Sequence, residues 1–597
     1  MQPRFFLTSL CFLAAPVAHA APWEDATDAT IGKTSEWSNK VELADIDGDG
    51  LVDILFANGA GYSDPEGPEP SRAFLNKGAG VPFEEVSMDV FGSPAQTRVL
   101  KVRDVDGDGN PDIFMGNSFG DACRLYLGDG QGGYMDASGQ LPEAFPSVGD
   151  LELGDVDGDG DLDVLLADWG ANAGGAGGVT QLWLNDGAGT FTDATTANMP
   201  QIPVSWSWEL ELADVDNDLD LDALISCKTC SGSFLFHNDG AGVFTDATDQ
   251  LPQFGNNYEF EAIDLTGDGF LDLITINDGP MAREHILVGD GAGGFTDATA
   301  ELWPNEANAP GDDNMVAFLD YDSDGDADFV IAGLFGNDDR LLLNDGAGHL
   351  TLVADAFDPA NSSGSLGVAV ADLDGDRKLD VVLSEGESPQ DADRVFLGVD
   401  VAADTAAPKI SLVTADGVRV RARIHDNKTP VMPHDFMAPP LARYTTPGGE
   451  EVHEMGWYGE ALWRVLGEPP ADATSVVVCA TDAAGNEACS EPVALDDEPG
   501  TTGAPDTSGG PDDTTGAPAT TSDATTADDS SGGAAPTDSG VTPTGGDGET
   551  DDGETDDGAS TTPIDDDSGC GCDAPRPAPV SGLLLLGALL TLRRRRR

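Results

Sequence analysis

Short apolar runs recur along the chain, each one ended abruptly by aspartate, glycine or asparagine. "DILFA" (53–57) follows the acidic stretch "DIDGDGLV", and an apolar run, "KVELA", precedes it. This grammar repeats as "RDVDGDGNPDIFM", "GDVDGDGDLDVLL", "ADVDNDLDLDALI", "IDLTGDGFLDLIT", "LDYDSDGDADFVI" and "ADLDGDRKLDVVL". The first aspartates are Asp45, Asp104, Asp155, Asp214, Asp264, Asp320 and Asp372, spaced 59, 51, 59, 50, 56 and 52 residues apart. Most copies are followed by a second pattern, as in "LWLNDGAGTFTDAT": an apolar run, a glycine turn and another short run, which predicts a hairpin.

One unit thus reads as strand, acidic loop, strand, variable loop, strand, glycine turn, strand. Four strands in 50 to 59 residues is the length of a propeller blade, and seven units predict an all-β, seven-bladed β-propeller over residues 21–400. The seventh unit stops at "RVFLGVD" (394–400) without its last strand, while "WEDATDAT" (23–30) precedes the first acidic loop. The N-terminal segment is therefore predicted to complete the last blade and close the ring.

The acidic loops carry carboxylates at positions 1, 3, 5 and 9 and a free carbonyl at position 7, the oxygen-rich geometry that a calcium ion takes. The seven candidate sites begin with Asp45, Asp47, Asp49, Leu51 and Asp53, then Asp104, Asp106, Asp108, Asn110 and Asp112. The third is Asp155, Asp157, Asp159, Asp161 and Asp163; the fourth is Asp214, Asp216, Asp218, Asp220 and Asp222. The fifth is Asp264, Thr266, Asp268, Phe270 and Asp272; the sixth is Asp320, Asp322, Asp324, Asp326 and Asp328. The seventh is Asp372, Asp374, Asp376, Lys378 and Asp380. Up to seven Ca2+ ions are expected. An EF-hand is excluded because position 12 holds no carboxylate (Phe56, Met115, Leu166, Ile225, Thr275, Ile331, Leu383) and a β-run follows. Leu219 and Arg377 stand where glycine belongs, and Thr266 replaces an aspartate, so the fourth, fifth and seventh sites are expected to be weaker.

Motif and period resemble the FG-GAP and VCBS repeats of integrin-α-type propellers. The resemblance implies calcium loops between first and second strands on one face of the disc, with ligands recognised on the opposite face. Loops assigned to that face carry Trp37, Asn39, Arg98, Trp206, Trp208, Asn257, Tyr258, Asp312, Asp313 and Asn314. Flat apolar rings among hydrogen-bonding groups suit a glycan or protein ligand, or else fill the channel mouth. The functional expectation is adhesion or recognition. The alternative is a calcium-dependent polysaccharide lyase or hydrolase, for which Arg98 and Arg283 are the only basic candidates; no catalytic motif is present.

A net charge of -81, from 109 acidic and 28 basic residues, excludes nucleic acid as a partner. Residues 1–20 read as a secretory signal ending in Ala18-His19-Ala20. Residues 405–495 resemble an immunoglobulin- or fibronectin-like module: "VRVRARI" alternates with Val418, Val420, Ala422 and Ile424 on one side and three arginines on the other. Cys479 and Cys489 are expected to form a disulfide across a hairpin, Cys227 and Cys230 a small loop disulfide, and Cys123 to be unpaired. Residues 496–569 are rich in Thr, Asp, Gly and Pro and read as a disordered stalk. Residues 570–597, with Cys570, Cys572, an apolar run (580–592) and five arginines, resemble a MYXO-CTERM sorting tail. That implies transient membrane insertion and display of a monomeric propeller at the surface of a myxobacterium-like Gram-negative cell.

Overall fold

The computed structural model describes residues 21–495, apart from 62–64, 171–176, 278, 280–281, 306, 335–338, 359–363, 387–391 and 416–418. The signal, the stalk, the sorting tail and Val418 lie outside the described residues.

Seven sheets follow one another, and in the first six the antiparallel strands pair in chain order, so each 50-to-59-residue unit is one blade. Blade 1 is Ser38–Ala44, Asp53–Asn58, Arg72–Leu75 and Glu84–Glu85. Blade 4 is Leu210–Ala213, Asp222–Ile225, Phe234–Asn238 and Phe244–Asp246. Second strands are buried along their whole length, which explains their unbroken apolar reading in "DILFAN" and "DVLLAD". First strands are buried along most of their length as well, with one side toward the channel and the other toward the neighbouring blade.

Closure occurs as the sequence predicts. Trp23–Asp25 pairs antiparallel with Arg394–Gly398, with Trp23 opposite Gly398 and Asp25 opposite Phe396. Phe357–Asp358 adds a fifth, parallel edge strand to that sheet. Trp23 is fully buried, stacks on Phe357 at 4.9 Å and donates from Nε1 to the Leu379 carbonyl at 2.9 Å.

Blades are also tied by the asparagine that ends several third strands. Asn185 Nδ2 donates to the Val105 carbonyl of the preceding blade at 2.8 Å, and Asn238 does the same to Val156. Asn76 reaches Leu373 at 2.8 Å, so the tie also spans the junction of first and last blades. Glycine turns pack on the previous acidic loop: a Cβ on Gly48 (φ +74°) would lie 2.6 Å from the Gly130 carbonyl. Glycine at that position allows the approach.

The module at 405–495 is all-β, as expected, with one core around Val420, Ala422, Ile424, Tyr444, Trp463 and Val478. Its connectivity differs from two separate immunoglobulin sheets. The long strand Gly449–Gly459 pairs through its first half with Leu441–Thr446 and through its second with Leu462–Val465. All strands therefore join in one sheet folded over the core. Cys479 and Cys489 are register partners and form a disulfide, Cys227 and Cys230 form the loop disulfide, and Cys123 is a buried free thiol. The module rests on the acidic-loop face of the propeller. There Asp155 N donates to the Tyr458 carbonyl and Asp320 N to the Asn427 carbonyl, both at 2.8 Å.

Candidate calcium loops and the opposite aromatic face

Each acidic loop connects a first strand to a second strand, so all seven lie on one face. Their internal bonds explain the alternation. In the first loop, Asp45 accepts the amides of Gly48 and Gly50, both at 2.8 Å, and Asp49 accepts that of Leu51 at 3.0 Å. Oxygens of Asp45, Asp47 and Asp53 lie within 4.8 Å of one another, as do those of Asp104, Asp106 and Asp108, and of Asp155, Asp157 and Asp163. Two ligands on opposite sides of one calcium stand roughly 4.8 Å apart, so these donor sets fit the ion.

Position 9 has a second duty that the sequence did not reveal. Asp53 accepts the Ile46 amide on one oxygen, at 2.9 Å, and the Asn76 amide on the other, at 2.7 Å. The equivalent pair recurs at Asp112, Asp163, Asp222, Asp272, Asp328 and Asp380, so this carboxylate pins the third strand to the loop in every blade. Burial pushes the carboxyls of Asp53 up to about 7 and of Asp163, Asp328 and Asp380 up to about 8. Neighbouring loop aspartates push the same way. A bound cation offsets both effects.

On the other face, the aromatics predicted from the loops before first strands come together. Trp206 and Trp208 are 5.6 Å apart, and Trp208 stacks on Tyr258 at 5.4 Å. Trp169 and Phe119, both after second strands, join them: Trp169 lies 5.3 Å from Trp206 and 5.7 Å from Phe119. Arg98 is buried beneath, its guanidinium 5.0 Å from Trp169 and 5.2 Å from Trp208, donating to Asn39 Oδ1 at 2.6 Å. Lys228 stands 5.2 Å from the Tyr258 ring. The inner rings pack against one another, whereas Phe119 and Lys228 stay half-buried beside them; Trp37, in the loop before the first strand of blade 1, is half-buried too. Phe119 (φ 58°) and Trp206 (φ 56°) hold left-handed backbone, a costly conformation for an aromatic residue.

Phe119 and Trp169 escaped the sequence reading because the loop between second and third strands varies from blade to blade. Asn39, Arg98, Asn257, Tyr258, Asp313 and Asn314 were expected in loops but lie within the first strands, which begin earlier than the apolar runs suggest; Asn257, Asp313 and Asn314 are buried, and Asn314 donates to the Ser365 carbonyl at 3.2 Å. Arg283 donates to the Asn305 carbonyl at 3.3 Å near the surface.

Between the faces runs a channel lined by Lys40, Lys101, Arg103, Glu152, Glu209 and Glu261. Lys40 pairs with Glu209 and with Asp150, the latter at 3.1 Å, while Lys101 pairs with Glu152. Module residues Lys428, Met432, Trp457 and Glu460 close its acidic-loop end.

No curated protein matches the chain in sequence. Similar solved structures include an Agrocybe aegerita lectin specific for non-reducing terminal N-acetylglucosamine, at 19% identity and a TM-score of 0.39, covering 55% of this chain and 83% of that one. An exotype rhamnogalacturonan lyase is similar at 13% identity and a TM-score of 0.31, covering 75% of this chain and 71% of that one. A Bacteroides ovatus auxiliary nutrient binding protein is similar at 12% identity and a TM-score of 0.33, covering 58% and 83%. Overlap this partial says nothing about ligand or reaction. The sequence profile of the FG-GAP-like repeat matches residues 45–115, 104–166, 155–225, 264–331 and 320–383, together half of the chain. With its seven blades and their repeated acidic loops, the chain belongs to the FG-GAP-like repeat family.

Proposed function

We propose that this chain is an exported, calcium-loaded propeller that recognises a glycan on the aromatic face opposite its acidic loops. The observation that carries recognition is the pair Phe119 and Trp206, held in left-handed backbone at the channel mouth. Such strain costs about 1–3 kcal/mol per residue and persists where the surroundings impose it, typically at binding sites. Half-buried rings beside a cation and amide groups suit a sugar, whose apolar faces stack and whose hydroxyls hydrogen-bond.

Calcium is supported by the converging carboxylates and by the burial of the position-9 aspartates. Export is supported by the apolar N-terminal segment and by two disulfides, which persist in oxidising compartments. Surface display rests on the sorting-tail resemblance. Calcium then serves the architecture and the aromatic mouth serves recognition. Catalysis is the weaker reading, because Arg98 is spent on Asn39 and the aromatic rings beneath the surface.

The test is a glycan and protein array with the secreted chain, its Trp37→Ala and Phe119→Ala variants, and chelator-treated protein. A glycan ligand bound at least about tenfold more weakly by both variants, with melting unchanged, supports the reading. Binding only to proteins removes the glycan assignment. Turnover of a uronate polysaccharide that disappears in Arg283→Ala replaces recognition with the lyase.

A further inference from the structure

Two acidic loops take arginines from the C-terminal module: Arg464 pairs with Asp155 of the third, which keeps its glycine (Gly160) and has Leu184 beside it, whereas the fourth takes two and departs from the repeat in both of those respects. Arg423, only 2% exposed, donates from Nη2 to the Asp214 carbonyl at 2.7 Å and to Asp214 Oδ2 at 2.8 Å. Arg421 donates from Nη1 to the Leu219 carbonyl at 2.9 Å and to Asp220 Oδ1 at 2.8 Å. The Tyr458 hydroxyl donates to the same Leu219 carbonyl at 2.9 Å. Two guanidiniums thus seat on the position-1 carboxylate and the position-7 residue.

Leu219, which replaces glycine, is fully buried in left-handed backbone (φ 65°) and packs in one apolar cluster with Tyr458 and Leu462 of the module. The cost of that backbone is offset by burial against the module. Close approach is enforced beside it: a Cβ on Gly459 would lie 2.4 Å from Leu221 Cδ1 and 3.2 Å from the Gly154 Cα.

The opposite side of the loop departs as well. His237 stands where the third strands of the other blades carry Leu75, Leu127, Leu184, Val288, Leu343 and Leu397. Its Nδ1 is 3.2 Å from Asp222 Oδ2 and 3.8 Å from Asp216 Oδ2. Calcium takes oxygen ligands, and an imidazole among them is a poor one. Asp214 Oδ1 has no hydrogen-bond partner among the described residues. An ion ligated there would stand against the guanidinium held by the same carboxylate.

We propose that the fourth acidic loop holds no calcium and is instead the socket for the C-terminal module, with Arg421 and Arg423 supplying the positive charge that calcium supplies to the other loops. The proposal rests on the calcium reading for those other loops. Alternation in "VRVRARI" then has a use on both sides: apolar side chains fill the module core, and arginines fit the propeller.

The test counts bound ions on the intact secreted chain by native mass spectrometry and reads loop protection by hydrogen exchange. Asp47→Asn/Asp49→Asn lowers the calcium count by one, whereas Asp216→Asn/Asp218→Asn leaves it unchanged. In Arg421→Ala/Arg423→Ala, amides of 214–222 and 458–464 exchange at least about tenfold faster with calcium present. In chelator, 45–53 loosens and 214–222 does not. Loss of one calcium on changing Asp216 and Asp218 overturns the proposal, as does a zinc ion retained by His237. Unchanged exchange in the arginine variant overturns it too, and Arg423→Lys, which keeps the charge, controls for misfolding. A chain that binds no calcium sinks the calcium reading; exchange at 214–222 in the arginine variant then decides the socket by itself.

Discussion

Asp53 Oδ1 accepts the backbone amide of Asn76 at 2.7 Å, joining the end of the acidic loop to the end of the third strand. The same carboxylate holds the Ile46 amide. Asp163→Ala, the equivalent change in blade 3, strands two amides, each costing about 1–3 kcal/mol when left unpaired. The variant is expected to melt lower than wild type even in chelator. Asp49→Ala, an exposed position-5 change, is expected to alter melting only when calcium is present. Denaturation with and without chelator checks both.

Calcium itself is expected to raise the melting temperature in proportion to the logarithm of its concentration. At about 1 mM, sites with dissociation constants of about 0.1–1 mM each contribute about 0.4–1.4 kcal/mol. A melting curve that ignores chelator would remove calcium from this protein.

Ring closure makes a separate prediction. Trp23 is buried, stacked on Phe357 and bonded to Leu379. Trp23→Ala should cost about 3–5 kcal/mol. The loss should appear as one cooperative transition at lower denaturant, measured by tryptophan fluorescence and circular dichroism together.

The channel gives a pH dependence. Burial, then repulsion from Glu152, pushes Glu261 up to about 7; burial and Glu261 push Glu460 up to about 8. Both values exceed the ordinary 4.5, so the folded chain holds more protons than the unfolded chain between them. The stability these groups provide is complete below about pH 4.5 and is lost as pH rises through their folded values. Glu261→Gln/Glu460→Gln should therefore melt higher than wild type at pH 8 and equally at pH 4.5.

Much of this fold was legible because its repeat is written in residues whose chemistry is narrow. Asp-x-Asp-x-Asp-Gly fixes a turn, and the apolar run beginning at Asp53 or Asp163 fixes a strand buried on both sides. "WEDATDAT" was legible as a displaced strand since the seventh unit visibly lacked one. Other features depend on what lies opposite in space. The arginines of "VRVRARI" could be placed on one side of a strand, but period-two alternation does not say what covers that side; it proved to be the fourth acidic loop, through Asp214 and Asp220. Similarly, Trp208 could be assigned to a loop, while its burial depends on Arg98 and Trp169 from other blades. Position 9 read simply as a ligand because hydrogen bonds to Asn76 and its counterparts leave no trace in composition.

The pairing of Trp23 with Gly398 also sets an order of assembly. A stack of independent repeats can lose a terminal unit and keep the rest, since each unit leans only on its neighbours. Here the first-made segment is a clasp for the last-made blade. Until the two pair, the strand Arg394–Gly398 offers a bare edge to any passing extended chain. A chain that lacks Trp23–Asp25 is thus the form of the protein expected to aggregate most readily, and closing the ring is its safeguard.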